Sequence, residues 1–247
     1  MNRLIIPILT ILIVSCSYST TENKTSESES SFEVKWSGAL KNMMHKGDLS
    51  SKASLSDLKN IEHVYALGAL ENLKGEILIY DGKPFNSLVN DTVIKFDNTF
   101  EKKACLLVYA SVTEWTPITI PDDVYTYEQF EIFVAKTAKE NGIDTEAPFP
   151  FLVEGTPESF DWHVINWKDG DTEHSHEKHI NSGLNGSIES TPVEMLGFYS
   201  NAHHAIFTHH TTNMHIHVKT TDNSLAGHVD GLTLGTGMIL KIPVLSC

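Results

Sequence analysis

The stretch Asn213-Met-His-Ile-His-Val-Lys-Thr-Thr-Asp-Asn-Ser-Leu-Ala-Gly-His-Val-Asp-Gly231 places two histidines before a short polar segment and one after it. Side chains alternate between the two faces of a strand, so His215 and His217 share one face. A tight turn centred on Asp222-Asn223 pairs the flanking segments so that His217 lies directly opposite His228. We therefore predict a β-hairpin that carries three imidazoles on one face.

Three converging imidazoles are typical of a divalent metal site. Three histidine ligands with one exchangeable position characterise catalytic zinc, whereas structural zinc usually has four protein ligands. We predict that His215, His217 and His228 bind Zn²⁺ or another divalent metal. The alternative is that they are ordinary strand histidines, because a register slip of one residue would scatter them over both faces.

The amino-terminal residues have the pattern of an export signal. Residues 4–14 are almost wholly apolar and too few for a permanent membrane helix, which indicates a secretory signal over residues 1–16. Ile13-Val-Ser-Cys16 resembles a bacterial lipobox, which implies cleavage before Cys16 and its lipidation. Residues 17–31, dominated by Ser, Thr and Glu, predict a flexible tether. We expect an exported lipoprotein that touches the membrane only through its lipid; an uncleaved cytosolic amino terminus is the alternative.

The charge of the chain excludes classes of binding partner, and its cysteines bear on packing and disulfide formation. The net charge of −14 argues against nucleic acid and against electrostatic binding to anionic lipid. Cys105 lies in an apolar run, which predicts core packing, and Cys247 is the last residue. A disulfide between these two cysteines remains open.

The remaining pattern predicts an α+β (mixed α/β) fold. Residues 32–147 are expected to form a mixed α/β domain with a β-sheet, and residues 148–247 a strand-rich, antiparallel, barrel-like domain that carries the metal site. Thr126 with Gln129 predicts a capped helix that ends at Asn141-Gly142. We expect a short helix at 55–61, a loop at 169–190, and strands at 76–80, 93–96, 104–112, 149–154, 162–167, 194–200 and 238–244.

Several motifs together resemble the alpha-acetolactate decarboxylase family. Met214-His-Ile-His-Val218 followed by Ala226-Gly-His-Val229 resembles its metal-binding segment, including the ten residues between the second and third histidines. Leu73-Lys-Gly-Glu-Ile77 resembles its Gly-Glu-Met strand, and Leu196-Gly-Phe198 resembles its Val-Gly-Phe strand. The resemblance runs in order over residues 32–244.

The resemblance implies a function and roles for individual residues. The family has a two-domain α/β architecture, holds zinc with three histidines and converts 2-acetolactate to acetoin and carbon dioxide. Carried over, His215, His217 and His228 are the ligands, and Glu76 is the glutamate that handles substrate and proton. The metal would stabilise negative charge on the keto and hydroxyl oxygens of a small 2-hydroxy-3-keto acid, and Glu76 would deliver a proton to one face.

The sequence departs from the family at two places. Where the family has an arginine for the substrate carboxylate, this chain reads Phe160-Asp-Trp-His-Val164, and His163 is the nearest equivalent without the bidentate fork of arginine. The family also continues to a carboxy-terminal glutamate, whereas this sequence ends at Cys247. These departures favour a second hypothesis, a non-catalytic lipoprotein that binds a metal or small ligand. A cupin-type oxygenase is weaker, because no glutamate follows at the usual cupin distance; a homodimer remains open.

Further histidines occur in predicted loops. His203-His204 and His209-His210 precede the hairpin and could line the mouth of its site. His174, His176 and His179 could hold a second metal loosely. Solvated loop histidines are the simpler interpretation for both groups, and we expect no catalytic role there.

Overall fold

The computed structural model describes residues 32–245, which form two antiparallel sheets and few helices. The strands are β1 (Lys35–Ser37), β2 (Ala53–Ser54), β3 (Val64–Leu70), β4 (Glu76–Tyr80), β5 (Lys83–Pro84), β6 (Asn86–Asn90), β7 (Val93–Asp97), β8 (Lys103–Ser111), β9 (Trp115–Thr119), β10 (Phe149–Gly155), β11 (Ser159–Val164), β12 (Leu184–Glu189), β13 (Val193–Tyr199), β14 (Met214–Thr220), β15 (Ala226–Thr233) and β16 (Ile239–Pro243). The helices are α1 (Leu40–Lys46), α2 (Tyr127–Glu140) and α3 (His176–Asn181), with 3₁₀ turns at Leu55–Leu58 and Glu71–Leu73.

The strand order confirms the predicted α+β class and antiparallel pairing. The first sheet runs β1-β8-β3-β4-β6-β7, with β2 beside β8 and β5 beside β4. The second sheet runs β12-β11-β15-β14-β13-β10-β16-β9. Because this order has two ends within the described residues, the second sheet is open rather than a closed barrel. Strand β9 precedes residue 148 yet pairs with β16, so the sheet division does not follow the 147/148 boundary, and that boundary remains a prediction.

The alternation of side chains along β4 determines where Glu76 points. Ile77 and Ile79 face a smaller apolar cluster that also contains Leu55. Leu78 faces the larger core, which continues into the second sheet. Glu76 has the same parity as Leu78, so its carboxyl group points between the two sheets rather than toward solvent.

Helix α2 begins and ends as its sequence predicts. The Thr126 hydroxyl accepts a hydrogen bond from the Gln129 amide, and the Gln129 side chain accepts one from the Thr126 amide. Phe130 and Val134 are fully buried, and the Phe130 ring packs edge-on against Phe151 of β10 at 6.0 Å. The cap and apolar stripe therefore attach α2 to the second sheet.

Three predicted elements differ in the structure, and one of them is the strand expected at 162–167, which runs over Ser159–Val164 instead. The expected loop at 169–190 contains α3 and β12, and β12 pairs with β11 along its whole length. Strand β12 lies at the edge of the sheet and is held by backbone hydrogen bonds to β11 rather than by buried apolar side chains. This explains why its sequence does not have a strand pattern. The expected helix at 55–61 is the shorter 3₁₀ turn Leu55–Leu58.

Cys105 is buried, as expected, and its thiol donates to the carbonyl of Leu70 at 3.1 Å. Cys247, Cys16, the signal segment 1–16 and the tether 17–31 lie outside the described residues. Within residues 32–245, no helix combines the length and apolarity needed to cross a membrane.

Candidate metal centre

The hairpin forms with the predicted register. Strands β14 and β15 pair antiparallel, with His217 opposite His228. Ile216 and Val218 point into the core, which leaves the histidines on the opposite face. The Thr220 hydroxyl stabilises the turn, since it accepts a hydrogen bond from the Leu225 amide at 3.1 Å.

The three imidazoles converge. His215 Nε2 lies 3.1 Å from His217 Nε2. The ring of His228 lies 5.0 Å from that of His215 and 5.3 Å from that of His217, between centroids. Each residue offers one nitrogen within 4.8 Å of the other two. His217 is fully buried, whereas His228 is the most open of the three.

The donor set fits a borderline divalent cation. Zinc–nitrogen bonds of about 2.0–2.1 Å in a tetrahedron separate ligand nitrogens by about 3.3 Å, close to the spacing of His215 and His217. Burial lowers the pKa of His215 to about 4 and that of His217 and His228 well below the usual range. All three rings are therefore neutral at pH 7, which is the form that binds metal.

Glu76 lies beside this group. Its Oε2 is 3.8 Å from His217 Nε2, and its Oε1 accepts a hydrogen bond from the Ile165 amide at 3.2 Å. Burial raises the pKa of Glu76 to about 7, and the charge of His163 opposes part of that rise. A carboxyl group with such a pKa can both hold and release a proton near neutral pH.

His163 is linked to two carboxylates. Its Nδ1 bonds Asp230 Oδ2 at 2.7 Å, and its Nε2 lies 3.7 Å from Glu76 Oε1. Burial lowers the pKa of His163, but the hydrogen bond that its ring donates to Asp230 and the charges of both carboxylates outweigh burial, so the pKa is raised. The ring also packs against His228, with centroids 4.8 Å apart. His163 can therefore carry a positive charge next to the candidate ligands.

Asp230 is the functional candidate that the sequence reasoning missed. It lies two residues after His228 on β15, so strand alternation alone would have placed it on the same face. Its Oδ1 is buried, accepts no hydrogen bond among the described residues and lies 3.8 Å from His228 Nε2. His163, His228 and Asp230 form a second group of ligand atoms close enough to hold a metal, overlapping the first at His228.

Glu76, His163, His215, His228 and Asp230 line a cavity of about 1340 Å³, whereas His217 does not contribute to its lining. Its walls are largely apolar and include Met43, Leu73 and Met214. Within residues 32–245, Lys41 is the sole lysine or arginine of the lining, and Arg3 is the only arginine in the sequence. His163, which can carry a positive charge, is therefore a second group in the lining that could meet an anion.

The loop histidines divide between two environments. His209 and His210 line the cavity, as do His174, His176 and His179. His203 instead packs between Trp36 and Phe207, at 4.4 and 4.9 Å between ring centroids. The histidines that precede the hairpin thus reach the cavity only in part.

The fold is that of solved acetolactate decarboxylases. A structure of alpha-acetolactate decarboxylase from Bacillus subtilis strain 168 matches with a TM-score of 0.67 and 12% identity, over 87% of this chain and 86% of that one. The acetolactate decarboxylase of Bacillus subtilis subspecies spizizenii matches with a TM-score of 0.66 and 13% identity, over 85% of each chain. A Staphylococcus aureus protein of unknown function, described as similar to alpha-acetolactate decarboxylase, matches with a TM-score of 0.62 and 15% identity, over 85% of this chain and 84% of that one. No family model matches the sequence, and neither does any curated protein. At these identities the likeness concerns the fold alone.

Proposed function

We propose that the chain is a metal-dependent decarboxylase of small 2-hydroxy-3-keto acids, of the kind that converts 2-acetolactate to acetoin and carbon dioxide. The observation that carries this proposal is the convergence of His215, His217 and His228 next to the buried carboxyl group of Glu76. The shared fold of solved acetolactate decarboxylases supports the same reaction class.

A divalent cation, Zn²⁺ in the first instance, held by the three histidines would supply electrophilic stabilisation of the negative charge that forms on the keto and hydroxyl oxygens. The reaction breaks the bond between the carboxylate and its neighbouring carbon, and the electron pair passes to the adjacent keto group as carbon dioxide leaves. That neighbouring carbon then needs one proton.

Glu76 is the proposed proton donor. Burial of the carboxyl group favours its protonated form, with a pKa of about 7 in the metal-free protein, and the Ile165 amide fixes one carboxyl oxygen. Because Glu76 approaches from the first sheet and the histidines from the second, the proton would reach a single face of the planar intermediate.

His163 is the proposed binding group for the substrate carboxylate. Asp230 orients its ring and favours its charged form. A histidine cation makes a single hydrogen bond per nitrogen and lacks the paired donors of arginine, so carboxylate binding should be weaker than an arginine would provide.

A non-catalytic metal- or ligand-binding lipoprotein is the second candidate. It is favoured by one observation, that the cavity lining within residues 32–245 has no arginine to hold a carboxylate. A metal could be bound in either case, so turnover rather than metal content separates the two candidates.

The test is acetoin formation from racemic 2-acetolactate by the untagged full chain loaded with Zn²⁺. The proposal predicts turnover that His217→Ala abolishes and that His204→Ala, which removes an exposed histidine outside the cavity, leaves unchanged. Bound zinc without turnover in the wild type would contradict the decarboxylase and support the binding protein.

We also propose that the protein is exported and attached to a membrane through lipid on Cys16, on the strength of the apolar run and the lipobox-like ending. Expression in a bacterial host with radiolabelled palmitate tests this. Label in the wild type and none in Cys16→Ser is the expected result; label in both, or in neither, would contradict it.

A further inference from the structure

Six histidines that the proposed reaction does not use line the same cavity. They come from three separate segments of the chain, and they are exposed or half-buried, unlike the buried His163 and His215. They are His45, His174, His176, His179, His209 and His210.

Two of these side chains meet nitrogen to nitrogen. His174 Nδ1 lies 2.9 Å from His179 Nε2, which is close to the 3.1 Å between the nitrogens of His215 and His217. Local sequence brings them together: the Ser175 hydroxyl accepts a bond from the Lys178 amide and caps α3, which turns residue 174 back against residue 179.

The surroundings hold both rings in place. The Trp167 ring stacks on His174 at 4.5 Å and meets His179 edge-on at 4.9 Å, between centroids. The Trp167 indole donates to the carbonyl of Asp171 at 3.1 Å, which fixes the tryptophan. The pair is therefore preorganised rather than free in solvent.

The charge state also suits a cation. Burial, reinforced by the neighbouring histidines, lowers the pKa of His179 to about 4, and burial lowers that of His174. The nearby ammonium group of Lys178 is bound by Asp171 at 3.0 Å, which offsets its repulsion of a metal ion. In the lining of the same cavity, the His176 and His209 rings are in contact at 4.6 Å between centroids.

We infer that His174 and His179 form a second, weaker transition-metal site in the lining of the cavity, completed by water and flanked by His176 and His209. Imidazole pairs favour Zn²⁺, Ni²⁺ and Cu²⁺ over magnesium or calcium. When a metal replaces the shared proton, the two nitrogens need to separate only from 2.9 Å to about 3.3 Å. The site shares its cavity with the three-histidine centre, so an ion held there has direct access to the deeper ligands.

The experiment is a Zn²⁺ titration of the untagged full chain by calorimetry at neutral pH. The wild type should bind two equivalents, one tight and one weaker. His174→Phe with His179→Phe keeps the ring packing on Trp167 but removes the ligand nitrogens, so it should lose only the weaker equivalent. His215→Ala with His217→Ala should lose the tight one instead, which makes the result independent of the proposed reaction.

A matched control removes two histidines away from the cavity. His63→Ala with His204→Ala should keep both equivalents, because both rings are exposed and neither lines the cavity. One equivalent in the wild type, or two in the phenylalanine variant, would overturn the inference.

A second measurement does not depend on how the variant folds. Substoichiometric Ni²⁺, added after the tight site is filled with Zn²⁺, should broaden the ring-proton resonances of His174 and His179 first in NMR spectra of the wild type. Broadening of other histidines with these two unchanged would refute the site.

Discussion

Replacing Glu76 by glutamine should stabilise the metal-free protein, and by more as the pH rises. Glu76 is 5% exposed, and burial raises its pKa from the ordinary 4.5 to about 7. The folded protein therefore keeps a proton that the unfolded chain has lost, so Glu76 weakens the folded state as pH rises from about 4.5 through about 7. Glutamine has the same shape, still accepts the Ile165 hydrogen bond and does not titrate.

The magnitude follows from the same values. A rise from 4.5 to about 7, at about 1.4 kcal/mol per pH unit, corresponds to about 3 kcal/mol in the free energy of unfolding. The advantage of Glu76→Gln over the wild type should grow by about 2–3 kcal/mol between pH 5 and pH 8, since most of the titration window lies there. Comparing the two proteins at each pH cancels the titrating groups that do not interact with Glu76; His163, whose pKa the charge of Glu76 helps to raise, is the exception.

The assay is urea unfolding of both proteins with a chelator present, at pH 5 and at pH 8. At pH 8, Zn²⁺ should reduce the difference in free energy of unfolding between Glu76→Gln and the wild type, because a cation near the carboxylate favours its charged form. Glu76→Gln should also reduce acetoin formation. A stability difference that is the same at both pH values would show that burial does not disfavour the charged carboxylate of Glu76.

Three further substitutions test separate parts of the structure. Asp230→Asn should lower kcat for acetoin formation by about 10- to 100-fold and leave zinc stoichiometry unchanged, because it loosens His163; loss of zinc would make Asp230 a ligand instead. Gly68→Ala should lower the free energy of unfolding measured in urea by about 2 kcal/mol or more, since φ is +152° and a Cβ would lie 2.1 Å from the Leu106 carbonyl oxygen. Unchanged stability would show that the backbone moves to make room for the added Cβ. Thr126→Ala should cost about 1 kcal/mol in the same measurement through loss of the α2 cap, without changing acetoin formation.

Local patterns in the sequence predicted the parts of the fold that local interactions determine. The hairpin register follows from alternation and one turn, so the pairing of His217 with His228 is as expected. The cap at Thr126 likewise determines where α2 begins. In both cases the decisive residues lie within about ten positions of each other.

The rest of the site depends on contacts between distant segments. Glu76 reaches the histidines only because β4 of the first sheet packs against β15 of the second, and the sequence alone does not specify that packing; the resemblance to a known family indicated it. His163 faces His228 after a register shift in the β11–β15 pairing at Asp161/Trp162, which no spacing rule predicts. Strand alternation does place Asp230 on the same face as His228, so this residue could have been predicted from the sequence.

Binding of a single cation by three imidazoles of one hairpin can be observed in a crystal structure of the zinc-loaded protein, with anomalous data at the zinc edge. We expect one strong peak with nitrogens of His215, His217 and His228 at about 2.0–2.1 Å. An ion bound elsewhere, or rings that turn away from a common point in protein that takes up no zinc, would contradict it.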